Sequence, residues 1–467
     1  MRHALVIGGS MVGMCAARVL AEHVDRVTIV DRDSYPATAD HRVGVPQSHH
    51  AHALLARGQM ELERMFPGFE AQLRAAGAHV FDFSQHFAIL RKWGWAPRVP
   101  SGLETVWASR PLIESIVRAE LRRLANVELR ERTTVQALRF DKRERARVVG
   151  VTVKAKDEGI TLDLDADLVV DASGRGTKIP RWLDEAGIAP PREDVVEAFA
   201  GYASRFYKRP TPETRPAEWW WDGLWIEGVP PDFPRGGVGF PVEGDRWLVT
   251  AVGFSKDYPP TNEKGFLAFL KSLASPALAD VVERCEPLSD IVQNRSTTNR
   301  FRHYGGWGAK VDGLLALGDS VCAFNPVYGQ GMSTGAVCAS ILRTELARGA
   351  GLTRDLPARH HAAQEKFLKG VWGLAAGADF LWTLTEGDRP AGATLVQPYL
   401  DLMLEGLHAD PSVLRAVIPV FHLVEEPSRV VAPATMAAVL SSALRRRVKA
   451  RTFRAATLPR GSRPPAA

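Results

Sequence analysis

The chain is poor in cysteine and has no long apolar run. Its 467 residues include four cysteines, none of them in a C-x-x-C pair, which excludes a disulfide framework and argues against a cysteine-based zinc or redox site. No stretch reaches the roughly 18 consecutive apolar residues of a membrane-spanning helix. The apolar run after Met1 ends at Gly8, too early for a secretory signal. The sequence therefore predicts a soluble protein of a reducing compartment, the cytoplasm.

Excess positive charge is absent except at the C-terminal end. Residues 441–467 hold eight basic side chains and no acidic one, whereas the rest of the chain carries 51 basic and 53 acidic residues. The body therefore offers no basic surface of the kind that binds nucleic acid. We expect the basic end to be a solvated, frayed terminus. Attraction to nucleic acid or anionic lipid is the alternative.

The pattern of apolar segments predicts an α/β fold with an inserted β unit and a helical C-terminal region. Buried-strand patterns alternate with helices near the N-terminus and again at 313–348, which is typical of a parallel sheet covered on both faces. Between these parts, aromatic and β-branched runs separated by Pro and Gly clusters indicate mostly antiparallel strands. The predicted units are an α/β domain in two parts, 1–188 and 301–350, a β-rich domain, 189–300, a helical region, 351–458, and a disordered tail, 459–467.

A glycine-rich turn follows the first predicted strand and opens a helix. Its frame is Gly8-x-Ser10-x-x-Gly13, the dinucleotide-binding pattern with serine in place of the middle glycine, and Asp31 follows at the end of the next strand. Gly8 permits the tight turn, and Gly13 lets the helix approach the strand closely. The helix N-terminus presents N–H groups to a pyrophosphate, and Asp31 can accept hydrogen bonds from ribose hydroxyls. The sequence predicts a Rossmann-type dinucleotide site here.

Two further turns follow predicted strands. One strand ends in Asp171, with Gly174 three residues later, which taken alone is an ordinary strand-to-helix turn. The other strand delivers Gly318 and Asp319, where the carboxylate can accept hydrogen bonds from a polyol. The loop after it opens a long helix at Gly329-Gln-Gly331, whose exposed N–H groups suit a carbonyl or an anion.

Together the three motifs resemble those of the single-component FAD-dependent monooxygenases. Their order and spacing match that family over about 330 residues: the dinucleotide turn, the segment at 171–174 and the segment at 318–319. A further segment, Arg42-x-Gly-x-Pro-Gln-x-x-His-x-His52 followed by Leu54-Leu55-x-Arg57-Gly58, is similar to bacterial epoxidases and hydroxylases of polyketide biosynthesis, which are relatives of squalene epoxidase.

The resemblance implies an FAD site built from both parts of the Rossmann-type domain. The turn would hold the pyrophosphate, Asp31 the adenosine ribose and Asp319 the ribityl chain. Arg110 matches a family arginine that contacts FAD, and Arg42 would lie near the phosphates or the entering nicotinamide cofactor. The expected cofactor residues are Gly8, Ser10, Met11, Gly13, Asp31, Arg32, Arg42, Gln47, His50, Arg110, Val135 (under the adenine), Asp171, Gly174, Gly318, Asp319, Pro326, Gly329, Gly331, Met332 and Ser333.

The chemistry implied by the resemblance belongs to the flavin, so we assign no catalytic side chain. NADPH or NADH reduces FAD, and O2 adds to ring carbon C4a as a hydroperoxide. This species then epoxidises or hydroxylates a bulky hydrophobic natural-product intermediate, of polyketide or terpenoid type. A flavin-dependent dehydrogenase or reductase without oxygen transfer is the alternative. The halogenase segment W-x-W-x-I-P is missing, since residues 219–226 are WWWDGLWI. The oligomeric state stays open.

Two residue clusters allow more than one interpretation. The run His49-His50-x-His52 suggests a role in the flavin loop, with simple packing as an alternative; a zinc site is disfavoured because no acidic or cysteine ligand stands nearby, and we predict no metal. The tryptophan run at 219–221 is either sheet core or a wall of the substrate site. The expected substrate-contacting residues are Trp219, Trp221, Trp225, Phe240 and Pro326.

Overall fold

The computed structural model describes residues 1–144, 146–157, 159–307, 310–390, 392–450 and 461–465. Its strands are β1 (His3–Ile7), β2 (Arg26–Val30), β3 (His79–Asp82), β4 (Phe87–Arg91), β5 (Gly94–Trp95), β6 (Glu104–Trp107), β7 (Val127–Arg130), β8 (Thr133–Phe140), β9 (Val148–Ala155), β10 (Thr161–Asp165), β11 (Leu168–Asp171), β12 (Glu193–Glu197), β13 (Gly201–Lys208), β14 (Gly223–Ile226), β15 (Arg235–Val242), β16 (Arg246–Gly253), β17 (Val292–Asn294), β18 (Asn299–Arg302), β19 (Leu314–Ala316), β20 (Cys322–Ala323) and β21 (Glu386–Gly387).

Helices fill the remaining layers. They are α1 (Met11–Leu20), α2 (Ala56–Met65), α3 (Phe69–Ala75), α4 (Phe83–His86), α5 (Arg110–Arg122), α6 (Ile179–Glu185), α7 (Glu263–Lys271), α8 (Ala277–Arg284), α9 (Tyr304–Trp307), α10 (Gly331–Arg348), α11 (Leu356–Asp379), α12 (Ala393–Ala409), α13 (Pro411–Phe421) and α14 (Pro433–Ala450). Short 3-10 helices lie at Pro46–His49, Gly318–Ser320, Pro326–Tyr328 and Pro427–Val431.

The centre of the molecule is a five-stranded parallel sheet in the order β19-β11-β1-β2-β7. Its three central strands are almost entirely apolar because both of their faces are buried. Helix α1 packs against β1 and β2 and also contacts α5 and α10. The predicted Rossmann-type parallel sheet, the antiparallel sheets and the C-terminal helices are confirmed.

Parallel pairing brings the sequence motifs to one edge of this sheet. The carboxyl ends of β1, β2, β11 and β19 all lie on that edge, so the residues that follow them meet there. These residues are Gly8 after β1, Asp31 after β2, Asp171 at the end of β11 and Gly318 after β19. The sheet thus collects in space three motifs that lie far apart in the sequence.

The larger antiparallel part is a seven-stranded sheet in the order β17-β13-β16-β15-β14-β4-β5. Only the β14–β4 pair is parallel. Strands β4 and β5 come from residues 87–95, so the predicted domain of 189–300 does not contain the whole sheet. Because β4 is apolar and buried on both faces, its sequence lacks the alternation that marks a half-buried strand.

The two faces of this sheet bury different aromatic clusters. On the face we call the outer face, Trp221 stacks on Trp247, and Trp219 contacts both rings at a tilt, beneath α7 and α8. On the opposite, inner face, Trp225 and Phe240 join a second cluster, which also contains Phe81, Phe83, Phe87, Ile89, Trp107, Phe206, Val238, Val242 and Leu248, together with Ala51 and Ala53. Alternation along each strand separates the two sets.

The C-terminal helices form a hydrophobic cluster of their own. Val413 and Val417 of α13 pack with Met403 of α12 and Val439 of α14. Within the described ranges no helix combines the length and apolar character that a membrane crossing needs.

The described end of the chain contacts the outer surface of the seven-stranded sheet. The indole nitrogens of Trp220 and Trp95 donate to the Pro465 carbonyl (2.6 Å) and to the Ser462 hydroxyl (3.1 Å), and Arg463 pairs with Asp280. Of the tail predicted to be disordered, 459–467, residues 461–465 thus make contacts but form no helix or strand; residues 459, 460, 466 and 467 lie outside the described residues.

Replacement of Trp221 by alanine should lower the free energy of unfolding by about 3–5 kcal/mol, because this side chain is 1% exposed within the outer-face core. Trp225→Ala is the matched control, since Trp225 is only half-buried and lies on the inner face. Urea denaturation should show a clearly larger fall in midpoint for Trp221→Ala. Equal shifts for the two variants would contradict the assignment of faces.

Candidate functional site

The turn after β1 requires glycine at two positions. Gly8 has a φ of +96°, and a Cβ there would lie 2.6 Å from the carbonyl oxygen of Ala172 on the neighbouring strand end. A Cβ on Gly13 would lie 1.8 Å from the carbonyl oxygen of Gly8, because α1 approaches the turn so closely. The backbone N–H of Gly9 donates to Asp31 Oδ2 at 2.7 Å. A hydrogen bond therefore joins the glycine turn directly to Asp31, the acidic residue of the motif.

Ser10, the departure from the glycine pattern, has a partner of its own. Its hydroxyl accepts a hydrogen bond from Arg110 Nη2 at 2.8 Å and lies 3.5 Å from Glu114. Although Ser10 is the N-cap residue of α1, its side chain makes no capping hydrogen bond. The first N–H groups of α1 thus have no side-chain acceptor and remain free for an anion.

A buried network of three carboxylates and three guanidinium groups surrounds this turn. Arg42 lies at its centre, 2.8 Å from Glu114, 2.7 Å from Asp33 and 3.4 Å from Asp31, and it also contacts the Gly9 carbonyl. Arg110 and Arg118 approach Glu114 at 3.2 and 3.8 Å. These side chains are at most 10% exposed. The network has no net charge.

The arginines decide the charge state of Glu114. Burial alone would raise the pKa of this carboxyl, but Arg110 and Arg42 lower it below its usual range.

Arg42 is held by three carboxylates, so it is not free to meet an entering nicotinamide cofactor unless those pairs break. Its predicted position near the cofactor phosphates is compatible with the contact to Gly9.

Asp319 lies across the sheet edge from this network. Gly318, at a φ of +66°, starts the 3-10 turn that carries it, and a Cβ on Gly318 would press against Val12 of α1 at 2.9 Å. The Asp319 side chain is 35% exposed and is 3.5 Å from Arg175 Nε. Arg175 also donates to the carbonyls of Thr298 and Phe324. The Asp319 carboxylate therefore remains partly accessible. The Arg175 guanidinium beside it is held in place by its own hydrogen bonds.

Asp171 is fully buried and serves its own turn. Its carboxylate accepts hydrogen bonds from the Ser173 N–H (3.0 Å), the Ser173 hydroxyl (2.5 Å) and the Thr177 hydroxyl (2.6 Å). Gly174, with a φ of +84°, has open space where a Cβ would point. Asp171 thus supports the edge of the site through the backbone of residues 172–177.

The loop between Asn325 and Gly331 ends in the N-terminus of α10. Gly329 has a φ of +64° and abuts Ala53, and Gln330, the N-cap residue, makes no side-chain capping bond. Tyr328 donates to the buried Asp379 at 2.6 Å, as does the Asn325 amide at 3.2 Å. Burial raises the pKa of Asp379 to about 6 despite these donors. Hydrogen bonds to the Asp379 carboxylate, at the end of α11, therefore hold this loop in place.

The histidines on either side of Arg42 connect the loop after β2 to the inner face. His41 and His49 stack with their ring centroids 3.7 Å apart, and His50 Nδ1 lies 2.9 Å from the Ser204 hydroxyl of β13. His50 Nε2 is buried and has no hydrogen-bond partner among the residues that the structure describes. Burial lowers the pKa of His50 to about 3 and that of His52 to about 4. No group of three metal-ligating side chains occurs in the part of the chain that the structure describes.

The remaining predicted cofactor residues lie in several different environments. Arg32 is exposed at the end of β2, Val135 is a core residue of β8, and Met332 is buried in the first turn of α10. Ser333 is fully buried, and its hydroxyl accepts from the Leu55 N–H at 3.0 Å, so this side chain joins α10 to the segment before α2. Gln47 lies half-buried in the 3-10 turn Pro46–His49.

The structure divides the predicted substrate residues between the two faces of the sheet. Trp219 and Trp221 belong to the outer-face core, which favours the sheet-core interpretation of the tryptophan run. Trp225 and Phe240 lie on the inner face with Ala53, which in turn contacts Gly329. Trp219 and Trp221 precede β14 and lie outside the strand, so neither composition nor strand alternation reveals their face.

Sequence reasoning missed several residues that shape the site. Glu114 stands four residues after Arg110 and four before Arg118, a spacing that places all three on one face of α5 and could have indicated the network. Arg175 directly follows Gly174 in the second motif. Asp379 lies within a helix, and no motif in the sequence marks it.

The residues at this edge fit FAD. The uncapped N-termini of α1 and α10 offer N–H groups, and Arg110 Nε is buried without a partner. Space is open beside Gly174, and the accessible Asp319 lies next to Gly331. Anion-binding N–H groups, an acceptor for hydroxyl groups and free volume are what a dinucleotide with a ribityl chain requires.

Protonation of the buried histidines should oppose folding in acid. The pKa of His50 is near 3 in the folded protein and about 6.5 in an unfolded chain, so the unfolded state binds the extra proton and stability falls as the pH drops below about 6.5. His50→Gln should reduce the slope of unfolding free energy between about pH 4 and 6 by about 1.4 kcal/mol per pH unit. Ser204→Ala, which removes the partner hydroxyl but no titrating group, should keep the slope. An unchanged slope in His50→Gln would contradict the assignment.

A relative of this chain occurs in Mycobacterium tuberculosis. No family model matches the chain. Protein Rv3254 of Mycobacterium tuberculosis is 31% identical over 415 residues, which cover 85% of this chain and 85% of that protein.

Solved structures share the fold at lower identity. The flavin-dependent brominase Bmp2 superposes with a TM-score of 0.67 at 15% identity, over 96% of this chain and all of that one. The p-nitrophenol 4-monooxygenase PnpA of Pseudomonas putida DLL-E4 superposes with a TM-score of 0.65 at 16% identity, over 91% of this chain and 99% of that one. The chain therefore belongs to the family of Protein Rv3254, and its fold is that of the flavin-dependent brominase Bmp2 and of PnpA.

Proposed function

We propose that the protein is an FAD-dependent monooxygenase that uses NADPH or NADH and O2 to epoxidise or hydroxylate a bulky hydrophobic natural-product intermediate. The observation that carries this proposal is the meeting of three features at one sheet edge: the dinucleotide turn, the accessible Asp319 and the uncapped N-terminus of α10. The aromatic inner face lies next to them, through Ala53 and Gly329. The likeness to PnpA supports a monooxygenase.

Each part of the site would hold one part of FAD. The turn Gly8–Gly13 and the N-terminus of α1 would receive the pyrophosphate, with Arg110 beside them, and Asp31 the adenosine ribose. Asp319 would accept from the ribityl hydroxyls, and Pro326 with the backbone of Gly329 and Gly331 would line the flavin ring. When bound, FAD supplies the redox chemistry that passes electrons from the nicotinamide cofactor to O2.

The protein itself would position the cofactor and exclude water from it. Tyr328 and Asn325, fixed on Asp379, hold the loop that would contact the ring. His50, neutral because of its burial, would offer Nε2 to the flavin or to the oxygen being transferred. Phe240, Trp225 and Ile89 provide an apolar wall, which limits the loss of reactive oxygen to water.

The apolar wall also favours a bulky substrate. Sites lined by aromatic groups bind mainly through burial of carbon, which contributes about 0.8 kcal/mol per methylene group. A long polyene or a polycyclic compound can therefore bind without an ion pair to a carboxylate. This wall is formed by residues of the inner face, since Trp219 and Trp221 lie on the other side of the sheet.

The competing function is a flavin-dependent dehydrogenase or reductase without oxygen transfer. The deciding experiment incubates the FAD-loaded protein with NADPH or NADH under ¹⁸O2, using a panel of polyenes, polycyclic polyketides and small hydroxybenzoates. We expect substrate-stimulated nicotinamide oxidation coupled to a product that carries one ¹⁸O atom, with the large substrates preferred. Oxidation of the nicotinamide with no labelled product from any substrate would favour the reductase. Turnover of the hydroxybenzoates alone would contradict the bulky-substrate assignment.

Asp319→Ala should weaken FAD binding by roughly 10- to 150-fold, because loss of a charged hydrogen-bond acceptor costs about 1.5–3 kcal/mol. Asp222→Ala is the control, since Asp222 is similarly exposed and is also paired with an arginine, Arg209, but precedes β14 at the end of the sheet away from the loop 325–331. Flavin fluorescence titration of the apoprotein measures both affinities. Equal affinity in the Asp319→Ala variant and the parent would show that the carboxylate does not contact FAD.

A further inference from the structure

Asp379 carries a buried negative charge that is held by neutral groups. It is fully buried at the end of α11 and accepts hydrogen bonds from the Tyr328 hydroxyl at 2.6 Å, the Asn325 amide at 3.2 Å and the Asn299 amide of β18. Within the described ranges, no arginine, lysine or histidine side chain donates to this carboxylate. Asp379 therefore differs from Glu114, whose charge is balanced by arginines.

This arrangement is costly, and the cost shows in the acidity of the group. Hydrogen bonds from neutral donors offset only part of the free energy lost when a charge leaves water, so buried carboxylates are usually paired with cations. Burial raises the pKa of Asp379 to about 6, and the nearby Glu197 of β12 acts in the same direction. The carboxyl is therefore ionised at pH 7 and above. Strongly perturbed titratable groups concentrate at functional sites, which points to a use for this charge.

The other described charges near Asp379 leave it uncompensated. Arg175 donates to a carbonyl next to the loop that Asp379 holds, but its ion-pair partner is Asp319. Glu197 and Glu227, which interact electrostatically with Asp379 and with its tyrosine donor, are themselves acidic. The region behind the loop is therefore negative.

The loop held by Asp379 is the one assigned to the flavin ring. Between the asparagine and the tyrosine donors lies the 3-10 turn of loop 325–331, and Gly329, directly after it, would line the ring under the proposed function. Val327, at the centre of the turn, packs on an apolar cluster that contains Trp382. Asp379 would therefore lie behind the backbone that lines the ring, near the ring but not in contact with it.

We propose that Asp379 is a positioning residue that holds loop 325–331 and, through its charge, lowers the reduction potential of the bound FAD. This inference rests on the function proposed above. The hydride of the nicotinamide cofactor carries two electrons and one proton, so a neutral flavin ring that accepts it gains one negative charge. A fixed anion nearby opposes that gain. A lower potential makes the reduced cofactor a stronger reductant toward O2.

The titration of Asp379 gives this effect a pH dependence with a definite sign. Above about pH 6 the carboxylate is charged and lowers the potential, whereas below about pH 6 the carboxyl is neutral and the effect is lost. By linkage, negative charge on the ring raises the pKa of Asp379 in turn. Reduction therefore takes up an additional fraction of a proton just above pH 6, and the potential falls more steeply with pH there.

The test is a spectroelectrochemical titration of the FAD-loaded protein and its variants at pH 5 and pH 8. Asp379→Asn keeps the shape and removes the charge. We expect it to favour reduction at least about tenfold at pH 8, a rise of about 30 mV for two electrons, and to differ less from the parent at pH 5. Tyr328→Phe removes a donor to the carboxylate but keeps the charge, so it should not raise the potential.

Glu365→Gln is the matched control, because Glu365 is a buried carboxylate of the same helix that stands 14 residues earlier, about 21 Å along the axis; it should leave the potential unchanged. The parent protein provides a second test that needs no variant. Its potential should fall between pH 6 and 7 by clearly more than about 30 mV, the change for one proton per two electrons. A fall of only that size would overturn the proposal even if Asp379→Asn did not retain FAD.

Flavin content is measured in every protein, which separates this inference from the proposed function. A parent protein that binds no FAD would overturn both. An FAD-loaded Asp379→Asn variant with no rise in potential, a rise of equal size at pH 5 and pH 8, or an equal rise in Tyr328→Phe would each overturn the role of the Asp379 charge and leave the proposed function standing.

Discussion

The contact between Arg42 and three carboxylates is the interaction on which the site depends. It joins the end of β2 through Asp31, the following loop through Asp33, and α5 through Glu114. Buried ion pairs contribute little stability overall, but removal of one partner leaves an unpaired buried charge and costs several kcal/mol. The network therefore acts as a positional constraint: the glycine turn, α5 and the start of the histidine segment can move only together.

The neutrality of this network has a consequence for the cofactor. Under the proposed function, a pyrophosphate would bring negative charge to a place where the arginine charges are already balanced. Its stabilisation would then have to come from the N–H groups of α1 and from Arg110 Nε, which has no hydrogen-bond partner among the described residues, and not from an excess of arginine. The same loop continues to His50, whose bond to Ser204 carries the constraint to the inner face of the seven-stranded sheet.

Local motifs could be predicted, whereas register and long-range partners could not. Gly8, Asp31 and Asp319 stand at fixed offsets from strand ends, so the sequence identified the edge at which they meet. Trp221 lies in the segment before β14 and Trp225 lies within that strand, and a spacing of four residues would place both on one face of a continuous strand. Only the folded path of the segment before β14 puts them on opposite faces. Arg42 lies 72 residues from Glu114, and no local pattern links them. Strand β4 gives no alternation because both of its faces are buried.

The parallel pairing of β4 with β14 bears on how such a protein can be recombined. Because the sheet draws one of its inner strands from residues 87–91, the segment 189–300 is not a transferable module. A chimera that exchanged only this segment would leave the hydrogen-bonding edge of β14 to pair with a foreign strand, and would replace one half of the ion pair between Arg91 of β4 and Glu227 without the other. Exchange of this sheet between proteins of the same fold therefore requires two separate stretches of the gene at once.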